Sequence, residues 1–335
     1  MKSYLVQPGS GIENMQLSEI EKPILQPGKI LLKMLAWSLN YRDLLVAGGQ
    51  YGLGLPSPLI PISDGVGEIV ESNTELSGFK IGQRVALSFF PDWQDGPITA
   101  QKTKKSLGGT TQGLLSEFIT CSPSEIVSVP QFLSNEEAAT LPCAALTAWN
   151  ALFEMGTSFS EKKILTIGSG GVSIFALQFA KSAGYKVVAI SRSLQHLNQL
   201  KELGLDEGIE SSSNLKWGDT IRKSSFGEVD HAIELGGANT LPQSIKATRV
   251  GGEISLIGVL AGNEAEFNPL PIIMKSIKLQ GIFVGSIEMF NRMNSSIEQN
   301  KIKPVVDNVF KFENAHSAFA YMAKGNHFGK ICISI

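Results

Sequence analysis

Residues 164–173 read Ile164-Leu165-Thr166-Ile167-Gly168-Ser169-Gly170-Gly171-Val172-Ser173. A short apolar run enters a cluster of glycines and then an amphipathic segment. In that segment Val172, Phe175, Ala176, Phe179, Ala180 and Ala183 recur at three- and four-residue spacing as far as Gly184. Strand, glycine turn and helix in this order predict a dinucleotide-binding turn. Gly168 permits the tight turn, and Gly170 lets backbone N–H groups close on a pyrophosphate whose charge is favoured at a helix N-terminus. Ser169, Gly171 and Val172 complete the predicted cradle, while Ser173 stands where the third fingerprint glycine would be. The next strand, Lys186–Ile190, ends in Ser191-Arg192-Ser193 without an acid. An Asp or Glu at that point reads the ribose 2′-hydroxyl of NAD, whereas a guanidinium with hydroxyls suits a 2′-phosphate. Ser191 and Arg192 therefore point to NADPH, with NADH a possible second cofactor.

Outward from the turn, apolar strands Ile164–Ile167, Lys186–Ile190, His231–Leu235, Glu253–Val259 and Lys278–Val284 alternate with helical segments. That alternation predicts an α/β fold with a doubly wound parallel sheet covered on both faces. Upstream, Lys29–Ala36, Gly65–Glu71, Arg84–Phe89 and Leu115–Cys121 are short strand-like runs separated by Gly and Pro, which predict an irregular, mostly antiparallel β domain. Helical segments around Glu288–Gln299 and Glu313–Lys324 precede a last run, Lys330–Ile335, expected to return to the first domain. The expected division is a substrate domain over 1–124, a nucleotide-binding domain over 125–285 and a return over 286–335.

The 335 residues suffice for two cores, and a formal charge of −2 without long runs of like charge argues against nucleic acid or an anionic membrane as partner. No stretch approaches a membrane span, and three widely spaced cysteines fit a reducing compartment, so a cytoplasmic protein is expected.

Beyond these features the sequence resembles the medium-chain dehydrogenase/reductase superfamily, and within it the zinc-free quinone oxidoreductase-like members. The likeness is carried by Asn40-Tyr41-Arg42-Asp43, Pro61-Ile62-Ser63-Asp64-Gly65-Val66-Gly67, Gly82-Gln83-Arg84-Val85, Ala138 to Trp149, the glycine turn and His327-Phe328-Gly329-Lys330. It implies a Rossmann domain inserted in a GroES-like β domain. It also implies a small-molecule substrate and a homodimer or homotetramer. The positions matching the zinc ligands of the metal-dependent members are Asn40, Ser63 and Cys143, one soft ligand of three, so no metal is expected. On the substrate side the resemblance implies Tyr51, Asn40 and Asp64. On the cofactor side it places Thr147 beside the nicotinamide, Val259 over its ribose, the backbone of Phe283-Val284-Gly285 on the carboxamide and Lys330 on the pyrophosphate. The segment Phe89–Gly113, with Phe90, Pro91 and Trp93, is expected to wall the substrate pocket. The implied activity is hydride transfer from NADPH to a conjugated carbonyl in the crevice between the domains. A zinc-type alcohol or aldehyde dehydrogenase, and a cofactor-binding protein without turnover, are the competing readings.

Overall fold

The computed structural model describes residues 1–52, 54–156, 162–262, 264, 266 and 268–335. Two compact units form, one from Met1–Leu146 with Gly285–Ile335 and the other from Thr147–Val284.

In the second unit six parallel strands form one sheet, ordered Glu207–Glu210, Lys186–Ser191, Lys163–Ile167, Val229–Glu234, Thr248–Leu256 and Lys278–Gly281. The earliest strand in the chain lies in the middle and later ones are added outward on both sides. Such an order reverses direction beside the first strand and leaves a binding position at its carboxyl end. Ile164, Leu165, Val187, Val188, Ala232, Ile233 and Ile254 are fully buried, as expected of strands covered on both faces. The helix Gly171–Ser182 packs on the first two strands through Phe175 and Phe179, whose rings stack at 6.0 Å, while Trp149 meets Phe179 edge-on at 5.6 Å.

The first unit is built on a seven-stranded sheet running Val306–Lys311, Lys330–Ser334, Ile30–Ser38, Asp64–Ser72, Arg84–Leu87 and Ile126–Ser128, with Phe118–Cys121 also pairing Ile30–Ser38. The last strand runs antiparallel to Ile30–Ser38 and parallel to Val306–Lys311, so the chain's end does return to the domain in which it began. The boundary expected after residue 124 is corrected to Leu146/Thr147. Ile126–Ser128 pairs with Arg84–Leu87, Arg84 Nη1 donates to Leu133 O at 3.0 Å, and Ser334 Oγ donates to Glu136 Oε1 at 2.6 Å. These bonds hold residues 125–146 in the β unit. The return begins at Gly285 rather than 286. A second correction concerns the aromatic segment: Phe89, Phe90 and Trp93 are buried, and the carbonyls of Trp93 and Gln94 accept from Ile287 N and Glu288 N at 3.0 and 2.9 Å. Its rings pack inside the unit instead of facing a pocket, and its backbone carbonyls anchor the helix Ile287–Asn300. Among the described residues no helix is long and apolar enough to cross a membrane.

One buried polar group in the parallel sheet has a thermodynamic consequence. His231 is 1% exposed, with Nε2 2.8 Å from Ser255 Oγ and Nδ1 4.0 Å from Glu253 Oε2. Burial pushes its pKa down to about 4, against the pull of Glu253 and Asp230 and with the help of Lys162 and Lys278. An unfolded chain takes up this proton near its ordinary value of 6.5, whereas the folded chain refuses it until about 4. Folding stability is therefore lost as pH falls through that window, by on the order of 2–3 kcal/mol. Denaturant unfolding at pH 7 and pH 4.5 is expected to show a smaller acid loss for His231→Asn than for the unchanged protein. Identical losses in the two proteins would contradict the burial argument.

Candidate active site

At the glycine turn Gly168 takes φ +77°, a left-handed conformation, and its N–H donates to Ile190 O at 2.8 Å. Gly170 precedes the helix Gly171–Ser182 as its cap. A Cβ added at Gly168 or Gly170 would meet no atom within 4 Å, so the space over the turn is open. The first N–H groups of the helix, which have no intrahelical partner, face a cradle of the kind a pyrophosphate fills. Ser173 replaces the third glycine without loosening the packing, since its hydroxyl donates to Ile167 O at 2.6 Å. These residues fit a nicotinamide dinucleotide.

Sequence reasoning missed one neighbour of that turn. Ser169 Oγ lies 2.7 Å from His196 Nδ1, and His196 sits in the first turn of the helix Leu194–Glu202, whose cap Ser193 accepts from His196 N at 3.2 Å. Ser193 N in turn donates to Ser191 Oγ at 3.1 Å, and Arg192 is exposed. Turn, second strand and following helix are thus linked at the corner where the second strand ends. The available signal was Ser193 as helix cap, which places a side chain three residues later over the strand end.

Val259, also exposed, belongs to a loop hung on the preceding one. Leu260 N donates to Leu235 O at 3.1 Å, Ala261 N to Gly236 O at 2.7 Å, and Ala238 N to Gly262 O at 2.9 Å. The buried carboxylate of Glu234 gathers this region, accepting from Gly236 N at 2.8 Å, Gly237 N at 3.0 Å, and the hydroxyls of Thr240 and Ser244. Burial raises its pKa and these donors oppose the rise. Thr147 is buried in the same unit, Phe283 is half-exposed, and Val284 is buried with its carbonyl accepting from Asn150 Nδ2 at 2.7 Å.

In the β unit, Asn40 precedes the helix Tyr41–Ala47, and the carboxylate of Asp43 accepts from Asn40 N at 2.8 Å. Asn40 Oδ1 accepts from Lys330 Nζ at 2.6 Å, and Leu39 O accepts from the same ammonium. Ser63 Oγ donates to Asp64 Oδ1 at 2.7 Å, Cys143 N donates to Asp64 Oδ2 at 3.1 Å, and Asn40 Nδ2 lies 3.4 Å from Ser63 Oγ. Arg42 Nε pairs with Asp43 Oδ1 at 3.4 Å under the rings of Phe89 and Tyr51. Burial raises the pKa of Asp64 against the pull of Lys330, Asn40, Ser63 and Arg42, and raises Asp43 to about 6 against that of Arg42. The sign for Asp43 opposes that of His231: its stabilising share is complete below the unfolded value of 3.8 and is lost as pH rises through about 6.

Two expectations change here, and a third residue is located. Lys330 is buried, with two of its donors held by Leu39 and Asn40 inside the β unit, so its charge is engaged there and not on a pyrophosphate. Asp64 has no exposed surface and both its oxygens are occupied, which makes it a positioning group rather than one that touches substrate. Tyr51 is half-buried, its ring packed on the β-unit core and beside the Arg42 guanidinium at 5.2 Å.

Residues 26–131 match the alcohol dehydrogenase GroES-like domain and residues 171–299 match the zinc-binding dehydrogenase family. Over 97% of its length the chain is 40% identical to a zinc-type alcohol dehydrogenase-like protein of Schizosaccharomyces pombe, covering 96% of that relative. The chain belongs to the medium-chain dehydrogenase/reductase superfamily. A crystal structure from Sinorhizobium meliloti 1021, assigned as an alcohol dehydrogenase, superimposes with a TM-score of 0.91 at 35% identity over 100% of this chain and 99% of its own. The 2-methylene-furan-3-one reductase of Solanum lycopersicum is 26% identical over 99% of this chain and 79% of that protein. As a member of this superfamily the protein is an NAD(P)H-dependent oxidoreductase.

Many medium-chain dehydrogenases carry a catalytic zinc, and the donor set here does not fit one. At the three matching positions, Asn40 offers an amide whose oxygen is bonded to an ammonium, and Ser63 offers a hydroxyl already donating to Asp64. Cys143 is the one soft donor of the three. Zinc prefers thiolate, imidazole and carboxylate, and the ammonium of Lys330 would repel a cation bound at Asn40.

Removing that ammonium tests the arrangement. Lys330→Met leaves the buried carboxyls of Asp43 and Asp64 with Arg42 as the remaining cation of the cluster. A loss of about 3–5 kcal/mol in folding stability is expected, the usual cost of breaking a buried pair from one side. A melting temperature unchanged from the parent would show that Lys330 is not the charge that this cluster is built on.

Proposed function

We propose that the protein is an NADPH-preferring reductase that delivers hydride to a conjugated carbonyl, such as a quinone, enone or enal, without a metal ion. The observation that carries the reading is the set at the three matching positions: an amide bonded to a buried ammonium, a hydroxyl bonded to a carboxylate, and a single thiol. Without a Lewis acid, a simple carbonyl is a poor hydride acceptor, whereas a conjugated one spreads the incoming charge. The likeness to a reductase named for an enone supports the same direction.

When bound, the nicotinamide nucleotide supplies the hydride. The turn from Gly168 to Val172 binds the pyrophosphate, and Ser191 with Arg192 binds the 2′-phosphate by charge-assisted bonds. Thr147 and Val259 flank the nicotinamide and its ribose, and the backbone of Phe283-Val284-Gly285 pairs with the carboxamide. Tyr51 and the Asn40 amide orient the acceptor and donate to its developing oxygen, with Asp64 and Lys330 holding Asn40 and Ser63 in place. A cytoplasmic setting accords with three cysteines, Cys121, Cys143 and Cys332, set far apart in the sequence. Self-association is expected along the sheet edge Lys278–Gly281, where Leu270, Ile273 and Met274 of the adjoining helix are exposed.

A zinc-type alcohol dehydrogenase is the second reading, favoured by the S. pombe relative. Two measurements separate them. NADPH consumption against a panel of quinones, enals, enones and simple aldehydes is expected to favour the conjugated acceptors and to survive chelator treatment. Stoichiometric zinc with activity lost on chelation would establish the second reading, and tight NADPH binding without turnover on any acceptor would indicate a binding protein. For the cofactor, Arg192→Ala is expected to raise KM for NADPH at least about tenfold, the loss of a charge-assisted bond, and to leave that for NADH nearly unchanged. Equal effects on the two cofactors would remove the NADPH assignment.

A further inference from the structure

Val284 is a β-branched residue held at φ +55°, a left-handed conformation that glycine adopts freely and valine resists. It is 5% exposed and stands between the half-exposed Phe283 and Gly285. Such a conformation persists only where neighbours over-determine it. The neighbour that holds it is Asn150, whose Nδ2 donates to Val284 O at 2.7 Å. Asn150 is itself 3% exposed, and its Oδ1 is buried without a partner. It opens the π-helical turn Asn150–Glu154, directly after the α-helical turn Leu146–Trp149, and π-turns recur at functional sites. Because the peptide bond is planar, a fixed Val284 carbonyl also fixes the direction of the Gly285 N–H on the far side of the same plane.

We propose that Asn150 is a positioning residue for the nicotinamide: it clamps the strained Val284–Gly285 peptide so that the backbone of 283–285 presents its hydrogen-bonding groups to the cofactor's carboxamide. The proposal rests on the reading that this backbone meets the nicotinamide, and it adds the side chain that sets the geometry. Asn150 acts through Val284 and does not touch the cofactor. Its amide supplies what the valine at 284 requires, a bond that holds a conformation the residue would otherwise leave.

The test compares NADPH with 2′-phospho-ADP-ribose, which lacks only the nicotinamide, and NADH with ADP-ribose. In the unchanged protein each dinucleotide is expected to bind more tightly than its truncated partner. Asn150→Asp, which keeps the shape and loses the donor, is expected to weaken the tighter-binding dinucleotide at least about tenfold while changing the truncated ligand less than twofold. Val284→Gly is expected to do the same more mildly, since glycine needs no clamp but holds no single conformation. The double variant is expected to be no weaker than Asn150→Asp alone, because the two act through one peptide. Equal losses for dinucleotide and truncated ligand, additive losses in the double variant, or no loss at all would each overturn the proposal. Should Asn150→Asp not fold, a Val284→Gly protein that loses affinity for the truncated ligand as well would overturn it. If the unchanged protein binds the truncated ligands as tightly as the dinucleotides, the nicotinamide reading itself falls, and that result is distinct from the others.

Discussion

A buried ammonium must be met by acceptors, and Lys330 imposes that condition where the chain's last strand joins its early ones. Leu39 O and Asn40 Oδ1 take the hydrogen bonds, and the carboxyls of Asp64 and Asp43 lie within its field. Meeting it commits the surrounding polar atoms. Asn40 is drawn to the start of a helix, Ser63 to Asp64, and the amide of Cys143 to the same carboxylate. Strand Lys330–Ser334 also completes the sheet between Val306–Lys311 and Ile30–Ser38, so one residue ties fold closure to the chemistry of the site. The cation is part of the protein, and the reactivity proposed for the site follows from an amide, a hydroxyl and a thiol set beside this ammonium.

The nucleotide-binding unit solves a different problem, the approach of a charged, bulky group to backbone. Open space over Gly168 and Gly170 is obtained by omitting side chains, while the position that calls for close packing of helix on strand accepts a serine. Ser173 succeeds because its hydroxyl bonds Ile167 O and so keeps the contact a glycine would have allowed. Ser169 is fixed by His196, the Glu234 carboxylate fixes the loop after the fourth strand, and the Glu234 carbonyl accepts from Ile257 N at the start of the loop after the fifth.

The alternation of apolar runs and helical segments made the parallel sheet legible, because strands buried on both faces are apolar almost throughout. Glu207–Glu210 escaped notice for the converse reason: it is a polar edge strand with a single buried apolar residue, Ile209. The domain boundary differs from the expected one because Asn135–Ala139 and the turns after it read as helix, and in sequence helical character marks the start of the nucleotide-binding part. What binds those residues to the β unit are long-range bonds such as Arg84 to Leu133 and Ser334 to Glu136, which no local pattern encodes. The aromatic segment failed similarly, since Phe89, Phe90 and Trp93 look the same in a pocket wall and in a core. Of the site, the glycine turn was legible because its chemistry is backbone chemistry with strict spacing. The partners of Lys330 and His196 were not, because a lone Lys or His carries no mark of what it faces.

Local preference and native backbone disagree most sharply at Ile62 and Val284, two β-branched residues at positive φ. Each is held from outside. Ile62 is gripped by the end of the aromatic segment: Leu114 N donates to Ile62 O at 2.9 Å, and a Cβ at Gly108 or Gly113 would come within 2.7 or 2.4 Å of its backbone. Val284 is gripped by Asn150. Ile62 directly precedes Ser63 and Asp64, and Val284 lies in the segment read as facing the carboxamide. A flexible glycine at either place would relieve the strain and also release the peptide that follows. Keeping a β-branched residue there, with a dedicated clamp, yields a backbone with one direction to offer, and a hydride-transfer site depends on that fixed direction more than on any added contact.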